Sequence, residues 1–331
     1  MISHIKYALS SLKQNRLYTL INLGGLTLGL SVAIALTMTI IGFAGLDQFH
    51  ENKDTVYKLI RADDSTTNNY YDASSALLAP AVKEAFPEVI DYCQFLWAND
   101  MILGLPDHHV KENGFFADEG WFRMLSFPLV YGDPDRVLAK PSNIVLSRKL
   151  SQKLYGDVNP VGKVINLYSY DSEFPDAFTV SGVFEDIPAY SSLQFEFAIP
   201  FAHYTNRNSW VQNWSSLGTR SYIQVAPNTC PVELSHKVTS LVRDLHSGMV
   251  EKQIFSLAPL YKSNGMIYKL SGEPFIGFFI IIALAIVGLS LLLISIINYV
   301  NLSVATAIKR AKEIGVKKIH GAGRKDLVMQ F

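Results

Sequence analysis

Residues 275–304 read FIGFFIIIALAIVGLSLLLISIINYVNLSV, and no charged side chain occurs between Pro274 and Ile308. A helix that crosses a bilayer needs about 20 predominantly apolar residues, so this stretch predicts a transmembrane helix over residues 274–306. The residues that follow, KRAKEIGVKKIHGAGRKDLVMQF (309–331), are basic and contain three glycines. We interpret this junction as the place where force passes between a membrane helix and a cytoplasmic partner.

A second charge-free run covers residues 17–46. It is longer than the about 7–15 apolar residues of a signal-peptide core and no clear A-x-A cleavage site follows, so it predicts a retained transmembrane helix. Within it, Gly25 and Gly29 form a G-x-x-x-G, a spacing that lets helix backbones approach closely in lipid. We expect these two glycines to lie on a helix-packing face. Residues 1–16 predict a cytoplasmic amphipathic helix, with a simple tail as the alternative.

Basic residues are concentrated beside the two apolar runs. Residues 1–46 have a formal charge of +3, residues 274–331 of +5, and residues 47–273 of −8, so the whole chain is neutral. By the positive-inside rule, both ends are expected in the cytoplasm and residues 47–273 outside it. This distribution also argues against a nucleic-acid-binding protein, because the basic residues lie next to the predicted membrane helices.

Residues 47–273 predict one ectodomain of mixed α/β character, with two lobes, that is long enough to bury its own core. The expected fold class is therefore an α+β membrane protein in which two transmembrane helices flank this domain. Ser147 is placed to cap a helix over 148–155 that Gly156 ends. Alternating and helical patterns predict further strands at 55–62, 144–146, 163–167, 178–184, 195–199, 222–225 and 253–260, and further helices at 77–86 and along 231–245.

The sequence gives little support for catalysis. Residues 107–109 (Asp-His-His) lack further ligands at a metal-site spacing and are expected in a surface loop. Cys93 and Cys230 are too few for a disulfide framework, and both a single pair and two buried free thiols stay open. The aromatic residues of 210–214 are expected in a core or between lobes. No G-x-x-x-x-G-K-[ST] occurs, so we expect no catalytic residue, cofactor or metal, and ATP hydrolysis only on another chain.

The C-terminal stretch from Ile297 to Phe331 closely resembles the first cytoplasmic loop of FtsX-like, MacB-type ABC permeases. That family has the pattern R-x-[KR]-E-I-G-[IV] followed by G-A, which is matched here by Arg310, Lys312, Glu313, Ile314, Gly315, Val316, Gly321 and Ala322. Other blocks resemble the family in the same order, namely residues 21–31, 46–59, 144–165 and 180–200.

The resemblance implies a permease of the bacterial inner membrane. Residues 47–273 would be its periplasmic core, with a porter-like lobe and an inserted second lobe. Residues 307–331, including Lys317, would be the segment on which a separate ABC ATPase docks. The resemblance further implies a permease homodimer or heterodimer, contact with membrane lipid, and in some members a periplasmic or outer-membrane partner. Such permeases often transmit ATP-driven helix movement to the periplasmic domain. Because family members carry at least four membrane helices, we expect this chain to be an N-terminal fragment.

Alternatives remain from the residues alone. The basic segment suits anionic lipid headgroups as well as a protein partner. A two-span sensor with an external ligand domain has the same layout, but it needs a continuous cytoplasmic helix with heptads. Because Gly315 is costly in a helix, we expect an interruption there, a short helix near 316–319, a turn at Gly321 and Gly323, and a new helix from Arg324. A membrane-anchored enzyme has no catalytic residues to support it.

Overall fold

The computed structural model describes residues 16–63, 70–106, 108–168, 175–245, 252–262 and 276–319. Contacts divide the chain into two units. The helical unit consists of Met1–Gly42 and Ile276–Phe331, and the sheet unit of Phe43–Phe275. Residues 1–15 of the amphipathic helix expected at 1–16 lie outside the described residues, and Arg16 is the first residue of the next helix.

The helical unit contains α1 (Arg16–Ala44) and the long helix α7 (Ile276–Ile319). Helix α7 runs without a break through Gly315, so the interruption expected at this glycine is wrong. A glycine costs about 1 kcal/mol relative to alanine inside a helix, which is too little to end a helix of 44 residues. Among the described residues, no helix has the length and apolar character needed to cross a membrane, so both spans stay predictions.

Eleven strands and five helices are described in the sheet unit. The strands are β1 (Val56–Asp63), β2 (Tyr70–Tyr71), β3 (Val89–Leu105), β4 (His108–Ala117), β5 (Leu129–Tyr131), β6 (Asn143–Ser147), β7 (Val164–Tyr168), β8 (Asp176–Phe184), β9 (Phe197–Pro200), β10 (Arg220–Val225) and β11 (Gln253–Pro259). The helices are α2 (Leu78–Ala85), α3 (Trp121–Met124), α4 (Arg148–Tyr155), α5 (Phe201–Arg207) and α6 (Pro231–Leu245). Short 3-10 helices occupy Ser209–Gln212 and Leu260–Lys262.

The strands form one sheet that carries two lobes. In the first lobe, β1-α2-β3 and β10-α6-β11 form a βαββαβ unit with the strand order β11-β1-β10-β3 and antiparallel neighbours, which is a ferredoxin-like arrangement. The second lobe, residues 106–219, is inserted between β3 and β10. Its strands continue the sheet in the order β4-β9-β6-β8-β5, and β7 pairs with β3 and β8.

Strand β3 belongs to both lobes because of its length of 17 residues. Its first half pairs with β10, and its second half pairs with β4 and β7. The pairing with β4 shifts register between Ala98 and Met101, where Asp100 has a left-handed φ of +57°. Such a bulge bends the strand and increases its twist.

A row of packed aromatic rings joins the two lobes in one core. Tyr222 of β10 stacks on Phe95 of β3 at 6.2 Å between ring centroids, and Phe95 contacts Phe115 of β4 at 4.5 Å. Phe195 then contacts Phe115 at 4.6 Å and Phe184 of β8 at 4.9 Å. Aromatic pairs at such separations contribute about 0.5–1.5 kcal/mol each beyond their burial. We refer to these five residues as the aromatic row.

Most predicted elements of the sheet unit are confirmed. Ser147 Oγ accepts a hydrogen bond from the N–H of Leu150 at 3.0 Å, and Gly156 ends the helix with a φ of +68°. His108 and His109 lie at the surface as expected, but they begin β4 and pair with β3, so the loop expected at residues 107–109 is wrong for these two residues. A Cβ at Gly104 would overlap the His109 ring, so glycine is what allows this pairing.

The remaining candidates of the sequence are placed as follows. Cys93 and Cys230 are both free thiols, so they do not form a pair. Cys93 is buried and Cys230 is exposed, so the alternative of two buried thiols holds only for Cys93. Trp210 is 58 % exposed, so its expected place in a core is wrong, whereas Val211 beside it is buried. Trp214 packs against the core of the first lobe. The described residues contain no His, Cys, Asp and Glu group that fits a metal ion.

Candidate functional site

Helices α1 and α7 approach each other through small residues. A Cβ added to Gly25 would lie 3.2 Å from Ser295 Oγ, and one added to Gly29 would lie 3.7 Å from the same atom. On α7, a Cβ at Gly288 would lie 3.1 Å from Val32 Cγ1. Gly29, Gly288 and Ser295 are buried. The two glycines of the G-x-x-x-G thus face α7 of the same chain.

The outer faces of these helices are apolar. Large exposed side chains include Leu28, Leu30, Ile34, Met38, Ile41, Ile286, Leu289, Leu293 and Ile297. The exposed hydroxyls of Thr37, Thr39 and Ser290 each donate a 2.8 Å hydrogen bond to the carbonyl four residues earlier. Hydroxyl donors satisfied within the helix are compatible with an apolar solvent, where an unpaired donor is costly.

The predicted ATPase-coupling residues fall on the last turns of α7. Arg310, Lys312, Glu313, Ile314, Gly315, Val316 and Lys317 all lie in this helix. Val316 and Ile319, three residues apart and therefore on one face, are exposed by 55 % and 85 %. Gly321 and Ala322 lie outside the described residues. The described part of this segment is thus a helix with an exposed apolar edge.

Residues 47–56, shortly after the end of α1, are hydrogen-bonded to distant parts of the sheet unit. We refer to these ten residues as the anchor segment. Its first residue, Asp47, is 1 % exposed and has a left-handed φ of +55°. The Asp47 N–H donates to Tyr190 O at 3.0 Å. Its Oδ1 accepts from the N–H of Ser192 at 2.8 Å and from Ser191 Oγ at 3.3 Å. These bonds satisfy part of the hydrogen-bonding capacity of a buried carboxylate.

His50 forms a second contact of the anchor segment. Its Nδ1 accepts a hydrogen bond from the N–H of Ser126 at 3.1 Å, so the ring proton of the neutral form is on Nε2. Phe49 and Phe127 pack on the ring at 4.0 and 5.2 Å. Burial lowers the pKa of His50 to about 4, although the Asp47 carboxylate opposes this shift. The side chain is therefore neutral at physiological pH.

Two further hydrogen bonds complete the attachment. The Glu51 N–H donates to Ser126 Oγ at 2.9 Å, and Asn52 Nδ2 donates to Met124 O at 3.1 Å. The anchor segment therefore holds two loops of the second lobe, residues 124–127 and 188–192. The sequence analysis assigned no role to these residues. The available signal was an Asp and a His close to the end of a predicted span, but their partners are far away in sequence.

An open cavity of about 380 Å³ in the sheet unit is lined by three carboxylates, Asp91, Asp118 and Glu119, and by Arg123. Arg123 donates to Asp91 Oδ2 through Nε at 2.9 Å and Nη2 at 2.7 Å, and to Asp135 at 3.1 Å. The pKa of Asp118 is raised to about 8, mainly by burial, and the charges of Glu119 and Asp91 add to this shift. Within the described residues, its Oδ2 is buried without a hydrogen-bond partner. Asp118 is thus protonated near neutral pH.

A family profile and a known permease each match most of this chain. The sequence profile described as "MacB-like periplasmic core domain" matches residues 19–241. An uncharacterized ABC transporter permease of Bacillus subtilis, YvrN, is 24 % identical over 362 aligned positions, covering 100 % of this chain and 82 % of YvrN.

Two solved structures are similar to part of this chain. A permease-protein domain from Porphyromonas gingivalis superimposes with a TM-score of 0.55 at 21 % identity, covering 63 % of this chain and 91 % of that domain. At this identity the likeness shows the fold alone. The periplasmic region of MacB from Actinobacillus actinomycetemcomitans gives a TM-score of 0.46 at 15 % identity, with 64 % and 92 % covered.

Proposed function

This chain belongs to the family with a MacB-like periplasmic core domain, and from this we propose that it is the transmembrane permease subunit of an ABC transporter. The observation that carries the proposal is the layout, in which a MacB-like domain lies between two long helices, α1 and α7. The similarity of the whole chain to the YvrN permease supports it. ATP would be hydrolysed by a separate ABC ATPase chain.

Helices α1 and α7 are proposed to cross the inner membrane, with both ends in the cytoplasm and residues 47–273 in the periplasm. The charge-free runs 17–44 of α1 and 276–308 of α7, the exposed apolar faces and the internally bonded hydroxyls support this placement. The positive charge at both ends of the chain supports the orientation. Lipid and a second permease copy, identical or related, would cover the exposed faces.

The last turns of α7 are proposed as the docking segment for the ATPase. At 1.5 Å per residue, the 44 residues of α7 extend over about 66 Å, roughly twice the thickness of a hydrocarbon core. A helix of this length carries Arg310 to Val316 beyond the bilayer without a joint. In this proposal the ATPase displaces α7, and the movement reshapes the periplasmic domain, which could then act on cargo together with a periplasmic or outer-membrane partner.

Docking is tested with the full-length permease and an ABC ATPase that co-purifies with it. We expect Glu313→Ala and Gly315→Leu to reduce co-purification at least tenfold. Glu313→Ala changes the matched pattern, and Gly315→Leu places a bulky group on the surface of the helix. Leu293→Ala, on an exposed face of α7 outside the segment, is the control. Wild-type co-purification in both variants would contradict the docking role.

The orientation is tested by cysteine labelling in a Cys230→Ser background, with the outer membrane permeabilised. A membrane-impermeant maleimide should label Val158→Cys in intact cells, and Ile319→Cys only after lysis. Labelling of Ile319→Cys in intact cells would place this segment outside the cytoplasm and contradict the proposal.

A two-span sensor is the second candidate, and one observation favours it. Helix α7 is continuous through Gly315, as a signalling helix would be. The family membership instead supports the permease, and the same co-purification separates the two, because a sensor has no reason to bind an ABC ATPase.

A further inference from the structure

The anchor segment connects α1 to the lobe that is more distant in sequence. Helix α1 ends at Ala44, and β1, which begins at Val56, belongs to the first lobe. Yet the side-chain hydrogen bonds that Asp47, His50 and Asn52 make to distant residues all lead to the second lobe. Chain continuity alone would move only the first lobe, so these contacts add a direct connection to the second.

The two loops that are held lead into strands of the second lobe. Residues 124–127 precede β5, and residues 188–192 lead through Phe195 to β9. Phe127 is itself buried beside the aromatic row and contacts Phe195 of that row at 5.2 Å between ring centroids. A displacement of either loop therefore reaches packed core residues within a few positions, and packed cores transmit strain.

The attachment is also stiff. Asp47 and His50 are each 1 % exposed, so water does not compete readily for their hydrogen bonds. Hydrogen bonds to an ionised acceptor are roughly twice as strong as neutral ones. The backbone of Asp47 is bonded as well, to Tyr190 O at 3.0 Å. A loop tethered only by its covalent ends would lack this rigidity.

On the basis of the proposed function, we infer that Asp47 and His50 are positioning residues that pass movement of α1 directly to the second lobe. The first lobe receives the same movement through β1. In this arrangement the two lobes respond to one helix through separate connections, and the connection to the second lobe can be removed without cutting the chain.

The experiment uses the full-length permease with its ATPase in lipid nanodiscs, and compares hydrogen exchange with and without ATP and vanadate. In the wild type, we expect nucleotide to change exchange in both lobes. In Asp47→Ala, the change in residues 124–131 and 188–200 should fall at least fivefold, while the change in β1 and β11 persists. Asp47→Asn keeps an oxygen that can accept from Ser192, so it should restore most of the response.

Tyr155→Phe is the matched control, because it removes one hydrogen bond in the second lobe, to Val164 O, without touching the anchor segment or residues 124–131 and 188–200. It should keep the nucleotide response. Ser191→Ala removes one donor to Asp47 and provides a milder variant if Asp47→Ala does not fold; its second-lobe response should be reduced. A full second-lobe response in Asp47→Ala, or in Ser191→Ala if the former does not fold, would overturn the inference. Absence of any response in the wild type would instead contradict the proposed function.

Discussion

Asp47 Oδ1 accepts a hydrogen bond from the backbone N–H of Ser192 at 2.8 Å, although the two residues are 145 positions apart. This bond connects the residues that follow α1 directly to the second lobe. It also places a carboxylate in a site that is 1 % exposed, where its hydrogen bonds must compensate for lost hydration.

Replacing Asp47 should therefore destabilise the sheet unit. Asp47→Ala leaves the N–H of Ser192 and the hydroxyl of Ser191 without this acceptor, at a cost of about 1.5–3 kcal/mol in the free energy of unfolding. Urea unfolding of the full chain in detergent, followed by tryptophan fluorescence, measures this change. Asp47→Asn should cost less, and equal stability of Asp47→Ala and the wild type would contradict the assignment.

His50 should make the protein less stable in acid. Its pKa is about 4 in the folded protein and about 6.5 in the unfolded chain, so the unfolded state binds the extra proton first as pH falls. Stability is then fully present above pH 6.5 and decreases toward pH 4, by up to about 3 kcal/mol. The measurement is unfolding at pH 7 and pH 4.5.

The variant His50→Gln isolates this contribution, since glutamine does not titrate but still offers an acceptor to Ser126. The loss of stability between pH 7 and pH 4.5 should be smaller in His50→Gln than in the wild type. An identical loss in both proteins would show that His50 is not protonated on unfolding.

Asp118 should make the protein less stable as the pH rises, the opposite of the effect of His50. Its carboxyl keeps its proton up to about pH 8 in the folded protein, whereas the unfolded chain loses it near pH 4. Stability therefore decreases as pH rises from 4 to 8. Asp118→Asn is neutral in both states, so at pH 8 it should be more stable than the wild type, by up to about 5 kcal/mol, and about equally stable at pH 4. Thermal unfolding at both values tests this, and a variant less stable at pH 8 would contradict it.

The close approach of α1 and α7 at Gly25 predicts a difference between two adjacent glycines. Gly25→Leu places a side chain against Ser295, whereas a Cβ at Gly24 has no atom within 4 Å. We expect Gly25→Leu to lower the stability of the helix pair by about 1–3 kcal/mol, since overpacking forces the backbones apart. Gly24→Leu should change it little. Size-exclusion chromatography after heating in detergent provides the measure, and equal behaviour of the two variants would contradict the contact between Gly25 and Ser295.

Local patterns predicted the elements whose signals lie within one segment. Ser147 and Gly156 bound a helix of eight residues as expected, because a cap and a stop act on adjacent backbone groups. The β3–β4 hairpin was missed, since polar residues such as His108 and Glu112 hide its alternation. Gly315 was given too much weight, because a single unfavourable residue does not outweigh the helix around it.

The anchor segment and the acidic cavity could not be predicted in the same way. The partners of Asp47 and His50 are 76 to 145 positions away, and only the folded chain brings them together. The raised pKa of Asp118 likewise depends on burial, which a single sequence does not give. The resemblance to a permease family indicated the domain but not these contacts.

Strand β3 runs through both lobes as one continuous backbone, so along this strand there is no linker peptide to serve as a hinge. A change in the angle between the lobes must then be absorbed as torsion of the sheet itself. The bulge between Ala98 and Met101 is where that torsion meets least resistance, because a ladder hydrogen bond is already missing there. Under load, the domain would twist along its continuous sheet rather than bend at a flexible linker between two lobes.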